Sequence, residues 1–311
     1  MTEPTTPSDL ELPGLDGANP LGFLTALGTF ALTAEIVPGV SMAWRSTASG
    51  WRPALCDAGL TQDEFVEALH TAIHNASMDA FDIDDKLPFK AETLKEVLRT
   101  HAEAAAPNRR RVIDFLAAFG CEVHKEKNED FQGTRFRMVR SGDSAGQGLP
   151  VYVKKMREQL SVDHLQRTLF RAWDYQDEGF SLRWDPLEDQ RYALRWRNPS
   201  KSNLQDGPGT MLAANYLAVE ALRLYPTQPQ VNHTATTGFH RNDRRQIHFS
   251  WPLWETPIPL DVCASLLAQA DWHPPSIDTP AQQAMGVTAV YRSQRIQQNQ
   301  YYSNFTPARP M

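Results

Sequence analysis

The sequence predicts an α+β protein: a mostly helical N-terminal part with one small hairpin, then a C-terminal part that mixes antiparallel sheet with helices. Three observations predict it. Through the first 120 residues, apolar residues recur at helical spacing, between capping and breaking residues. From Ser181 onward, short β-rich runs bounded by turn residues interleave irregularly with helical stretches, unlike the regular alternation of a doubly wound sheet. No internal repeat of a solenoid or propeller period is visible.

The elements follow in order. Asn19–Ile36 is the first helix, with Asn19 as cap and Pro20 at the first helical position. Leu21, Phe23, Leu24, Leu27, Phe30 and Leu32 make it apolar over most of its circumference, so it is expected in the core. Gly22 and Gly28 lower its helix propensity and are read as sites of close backbone packing. Ser41–Arg45 and Trp51–Leu55 read as a hairpin. Thr61, with Glu64 as its capping-box partner, opens a helix to about Asn75. Helices follow over 91–105 and 109–119. Residues 125–148, polar and glycine-containing, read as an exposed loop or linker between a helical acidic domain (14–124) and a basic α+β domain (149–311). A long helix covers 151–173, or two that abut at Ser161. Ser181–Trp184 and Tyr192–Trp196 read as strands, Thr210–Leu224 as a helix, Val231–Phe239 and Gln246–Trp251 as strands. Pro259 to about Ala270 reads as a helix and Val287–Tyr291 as a strand.

Charge is unevenly distributed. Residues 1–107 hold 6 Lys+Arg against 16 Asp+Glu, and 108–311 hold 25 against 21, within a net charge of −6. The last 31 residues carry Arg292, Arg295 and Arg309 and no acid, together with Tyr291, Tyr301, Tyr302 and Phe305. A basic, aromatic end on an acidic chain points to a localised anionic partner, and the overall charge argues against indiscriminate coating of nucleic acid. Cys56, Cys121 and Cys263 are too few and too scattered for a disulfide framework or a zinc ribbon. No apolar run has membrane-spanning length, and Met1–Pro13 lacks the basic flank and apolar stretch of a signal peptide, so a cytoplasmic protein is expected.

No constellation carries a clear catalytic signature. His70 and His74 sit one helical turn apart but lack a third ligand, so no metal or other cofactor is expected. Asp79, Asp82, Asp84 and Asp85 lack the glycine and distal Glu of a calcium loop. Arg109, Arg110 and Arg111 open a helix against its dipole and need compensation by nearby acids or by a phosphate, the former being favoured. If Leu182, Trp184, Leu194 and Trp196 point inward, Arg183, Arg195 and Arg197 share the outer face. They then either bind a phosphate backbone or are neutralised by Asp185, Glu188 and Asp189. The run Gly238–Arg245 lies between two predicted strands and displays Arg241, Arg244 and Arg245. His240 beside Asp243 is a conceivable base without a companion nucleophile. In the tail, Arg292, Arg295 and Tyr291, Tyr301 and Tyr302 suit phosphate pairing and base stacking, or the aromatics pack back on the domain.

The opening Asn19-Pro20-Leu21-Gly22-Phe23-Leu24-Thr25-Ala26-Leu27-Gly28 resembles that of CRISPR-associated proteins of type I-U (I-G) systems, among them large-subunit-like proteins of the effector complex. Arg183–Leu194, Ala214–Ala221 and the stretch from Tyr291-Arg292-Ser293 to Asn304-Phe305 are similar to the same group. These blocks cover roughly a quarter of the chain. The resemblance implies a non-enzymatic subunit of an RNA-guided defence complex, with nucleic acid (RNA or DNA) and neighbouring subunits as partners and no membrane. It carries no catalytic residues with it. The nucleic-acid contacts are expected at Arg183, Arg195, Arg197, Arg241, Arg244, Arg245, Tyr291, Arg292, Arg295, Tyr301 and Tyr302. A protein-interaction subunit and a phosphodiester-cleaving enzyme using His240 and Asp243 are the alternatives.

Overall fold

The computed structural model describes residues 9–104, 109–126, 128–138, 148–177, 179–188, 209–297 and 302–311. In order they form β1 (Leu10–Glu11), α1 (Pro20–Ile36), β2 (Ser41–Thr47), β3 (Gly50–Cys56), α2 (Gln62–Asn75), α3 (Ala91–Glu103), α4 (Arg110–Phe119), β4 (Gly120–Lys125) and β5 (Phe131–Gly133). Then come α5 (Leu149–Gln159), α6 (Val162–Phe170), α7 (Leu212–Glu220), β6 (Thr227–Pro229), β7 (Thr234–Thr236), β8 (Phe239–Arg241) and β9 (Ile247–Trp254). The chain closes with α8 (Leu260–Leu267), α9 (Thr279–Ala284), β10 (Val287–Gln297), β11 (Ser303–Phe305) and β12 (Arg309–Pro310). All strand pairs among the described residues are antiparallel, and the class is α+β as the sequence predicts.

The centre is α1. Its cap forms as the sequence implies: the Asn19 side chain accepts from the amides of Leu21 (2.8 Å) and Gly22 (3.1 Å). Every residue from Pro20 to Thr33 is buried. Three of those are threonines, and each hydroxyl donates back along the helix, Thr25 to Leu21 O, Thr29 to Thr25 O and Thr33 to Thr29 O, so none of these three hydroxyls is left unmet. A helix buried all round needs a partner of the same kind, and α7 is buried at every residue too. The two approach closely at Gly28, where a Cβ would lie 1.7 Å from Leu217 O. Gly22 instead packs against the Asp16 backbone of its own capping turn.

A three-stranded sheet, β1-β3-β2, lies beside α1, with Trp44 of β2 stacked on Phe23 at 5.6 Å. The Thr61–Glu64 capping box opens α2. The 151–173 stretch is two helices, α5 and α6, with Ser161 capping the second through His164 N. The C-terminal sheet has the order β11-β10-β9-β8, with β12 also pairing with β10. One contiguous cluster of buried side chains runs from Leu12 to Phe305, drawing on both the 14–124 and the 149–311 stretches.

Three expectations need correction. Ser181–Trp184 is irregular, not a strand, with Arg183 at φ +63°. Its inward residues are nonetheless Leu182 and Trp184, held by Leu182 N donating to Asn215 Oδ1 (3.0 Å) and Trp184 Nε1 donating to Phe136 O (2.8 Å). Val231–Phe239 is not one strand, because Gly238 at φ +77° turns the chain between β7 and β8. The polar 125–148 stretch is not exposed throughout: Lys125, Glu126, Asn128 and Glu129 are exposed, but Phe131, Phe136 and Met138 are buried. Phe136 meets Trp184, Tyr225, Phe239 and Phe249 edge to face.

Candidate nucleic-acid interface

The site grows from strand register. Arg241 on β8 lies opposite Ile247 on β9, and Ile247 opposite Arg295 on β10. Residues directly opposite one another share a face, so the two arginines flank Ile247 on one face, about 9–10 Å apart across two strand spacings. Against this row lies the segment that leaves β5. There Thr134-Arg135-Phe136-Arg137-Met138 alternates, with Phe136 and Met138 buried and Arg135 and Arg137 between them. The two structures enclose a cleft of about 420 Å³ lined by Arg135, Arg137, Arg241, Arg295 and Tyr302. Glu126 is the one carboxylate among its described lining residues.

The cleft is held in shape by its own arginines. Arg295 donates through Nε to Arg135 O (3.0 Å) and through a terminal nitrogen to Arg137 O (3.2 Å), tying β10 to the 135–137 segment. The Arg183 guanidinium stacks over the Tyr302 ring, 5.1 Å from its centroid. Arg183, Arg241, Arg295 and Tyr302, distant in sequence, thus meet at one place. Arg241, Arg244 and Arg245 occupy the β8–β9 turn, all exposed and without a side-chain partner among the described residues. Asn242 builds that turn: its Oδ1 accepts from Arg244 N (3.1 Å) and Gln246 N (2.9 Å), while Arg245 takes a left-handed conformation at φ +60°.

Other expected contacts lie elsewhere. Arg292 is three residues from Arg295 on one strand and therefore faces the opposite side of the sheet. It donates through Nε to Ser250 Oγ (2.8 Å) and through a terminal nitrogen to Trp272 O (2.6 Å) and Pro274 O (2.7 Å). Those carbonyls claim its donors, and burial lowers its pKa. Tyr291 packs back on the domain, stacked on Trp251 at 6.2 Å. Asp185 does not neutralise an arginine row. Fully buried, it accepts from Asn19 Nδ2, Tyr175 OH and Leu187 N. Arg195, Arg197 and Tyr301 lie outside the described residues.

His240 shares the reverse face with Arg292, since it pairs with His248, which in turn lies opposite Gln294. Its ring stacks on His273 (4.6 Å) and His248 (5.5 Å). Burial, then His273, Arg292 and His248, push its pKa down to about 3. No hydrogen bond or ion pair joins it to Asp243 among the described residues. His70 and His74 contact each other at 4.4 Å, and no cluster of three or more His, Cys, Asp or Glu suited to a metal occurs among the described residues. The acidic 79–85 stretch meets internal cations: Asp79 pairs with Arg109, Asp82 and Asp85 with Lys154.

Sequence reasoning missed Arg135 and Arg137. The period-two alternation from Thr134 to Met138 was the available signal, obscured by the glycines and charges around it. Chemically, the cleft and the adjoining turn present planar guanidinium donors and one aromatic ring to an anion. Among the described residues, no helix is long and apolar enough to cross a membrane. No family model matches the chain, and no curated protein matches it significantly.

Proposed function

We propose that the protein is a nucleic-acid-contacting, non-catalytic subunit of a prokaryotic RNA-guided defence complex of the CRISPR type. The carrying observation is the cleft in which Arg135, Arg137, Arg241, Arg295 and Tyr302 converge, beside the exposed Arg241, Arg244 and Arg245 of the β8–β9 turn. Guanidinium groups pair with phosphate oxygens, and arginine and tyrosine side chains both stack on bases. A volume of about 420 Å³ is of the size that one nucleotide would occupy. The resemblance of the opening helix and three later blocks to type I-U proteins supplies the biological setting.

The test is binding of labelled single-stranded RNA, single-stranded DNA and duplex DNA at two salt concentrations. Affinity should fall steeply with salt, with a slope of about 0.7 per phosphate contacted on a single strand. Replacing Arg241, Arg244 and Arg245 together with alanine should weaken binding and flatten that slope. Absence of binding at low salt would overturn the reading and direct the search to a protein partner.

A further inference from the structure

A second hollow, sharing no lining residue with the arginine cleft, lies between the capping turn of α1 and the segment leaving α6. It measures about 360 Å³ and is lined by Asp16, Asn19, Arg52, Phe170, Trp173 and Tyr175, among others. That volume is within the range of small-ligand sites, which combine apolar walls with a few fixed polar groups.

Its walls are fixed. The Trp173 indole donates to Thr168 O (3.0 Å), and the Tyr175 hydroxyl donates to the buried Asp185 (2.8 Å). The two rings stand edge to face, 6.0 Å between centroids. Tyr175 is held at φ +53°, a conformation that costs a non-glycine residue free energy and must be imposed by its surroundings. Asp16 Oδ1 accepts from Ala18 N (2.9 Å), and its second oxygen accepts nothing among the described residues. The Arg52 terminal nitrogens donate to Leu15 O (2.6 Å) and Ser49 O (2.8 Å). A guanidinium has five N–H donors, so three remain.

We propose that this hollow binds a guanine base. A carboxylate and a guanidinium in one cavity balance in charge, so neither a cation nor an anion is favoured. The matching ligand is neutral, planar and carries donors and acceptors on separate edges. Guanine places two adjacent N–H donors on one edge, for Asp16, and O6 and N7 on another, for Arg52; the perpendicular rings of Trp173 and Tyr175 supply one stacking face and one wall met edge-on. Adenine lacks the paired donors on that edge. The base arrives either as a free nucleotide or as a residue of a strand.

Calorimetric titration of the full-length protein decides this. The ligands are guanosine 5′-monophosphate, adenosine 5′-monophosphate, and single-stranded oligonucleotides with and without one guanine. Guanosine monophosphate should bind at least about tenfold more tightly than adenosine monophosphate, because a site built for hydrogen bonds rejects a ligand that leaves them unmade. Asp16→Asn keeps the acceptor for Ala18 N but turns a donor toward the base. It should erase the preference for guanine and create one for xanthosine 5′-monophosphate, whose C2 carbonyl accepts that donor. Trp173→Leu should weaken both nucleotides. Binding of the mononucleotide alone identifies a free nucleotide; binding restricted to the guanine-containing strand and lost in Asp16→Asn identifies a base in a strand. The proposal is overturned if wild type shows no saturable guanine-dependent binding at millimolar ligand, or if the folded Asp16→Asn protein retains the wild-type preference. Because the ligand set includes mononucleotides and Arg241, Arg244 and Arg245 lie outside the hollow, its failure is separable from failure of the arginine cleft.

Discussion

Arginines of the helical layer and arginines of the C-terminal sheet live in opposite circumstances. Arg111 and Arg223 are nine-tenths buried, and between them they meet Glu220 and Glu35. Arg167 is likewise held by Asp177, with Asp163 and Asp174 nearby. At the edge of the sheet and in the β8–β9 turn, Arg241, Arg244 and Arg245 face solvent without acids among the described residues. A buried guanidinium without a counter-charge is costly, so the helical arginines need their acids. An exposed one costs little and keeps its donors for a ligand. Only the second group is therefore available for binding, although both look alike in sequence.

That contrast can be broken most sharply at Glu220. Glu220→Ala leaves Arg111 buried without its main partner and should destabilise by about 3–5 kcal/mol, read as a lower denaturation midpoint. A smaller loss, near that of a surface change, would mean the pair is not structural. Gly28→Ala forces a methyl onto Leu217 O, where the atoms that must yield are backbone, and should cost at least about 1–3 kcal/mol by the same assay.

The sheet offers an intermediate case. Burial holds the pKa values of His240, His248 and His273 below the ordinary 6.5 beside Arg292. A depressed pKa means the folded state binds fewer protons than the unfolded one between about 3 and 6.5 for His240, so stability falls as pH drops through that window and is fully present above it. The melting temperature should be lower at pH 5 than at pH 7.5, and His240→Gln should reduce that difference. The smallest stability effect belongs to the triple Arg241, Arg244 and Arg245→Ala protein, within about 0.5 kcal/mol per site of wild type, while its nucleic-acid affinity drops. Equal losses of stability and binding would erase the distinction between the two arginine groups.

Local rules were readable from sequence because they depend on neighbours in the chain. The Asn19 cap, the Thr61–Glu64 box and the helix start at Ser161 are all of this kind. So is the burial of α1, whose apolar residues encircle it, and the pairing of Arg110 with Asp114 one turn on; Arg109 and Arg111 are also paired within the chain, but with the distant Asp79 and Glu220. The cleft was legible only in fragments. Arg241, Arg295 and Tyr302 stand out as basic or aromatic in a polar context, but their meeting depends on long-range register. Arg292 and Arg295 look equivalent in composition, yet a spacing of three in a strand sends them to opposite faces. Asp185 looks like turn punctuation and is instead the buried acceptor that links Asn19 to Tyr175.

The seam between α1 and α7 also bears on how the chain is made. Thr25 Oγ1 reaches Ala214 O across 189 positions of sequence. At ribosomal speeds of about 5–20 residues per second, α1 waits roughly 10–40 s for the helix that covers it. During that interval this apolar helix lacks α7, the helix that packs closely on it at Gly28. Its early expression should therefore depend on a holding chaperone or on transient shelter by the neighbouring β2–β3 hairpin.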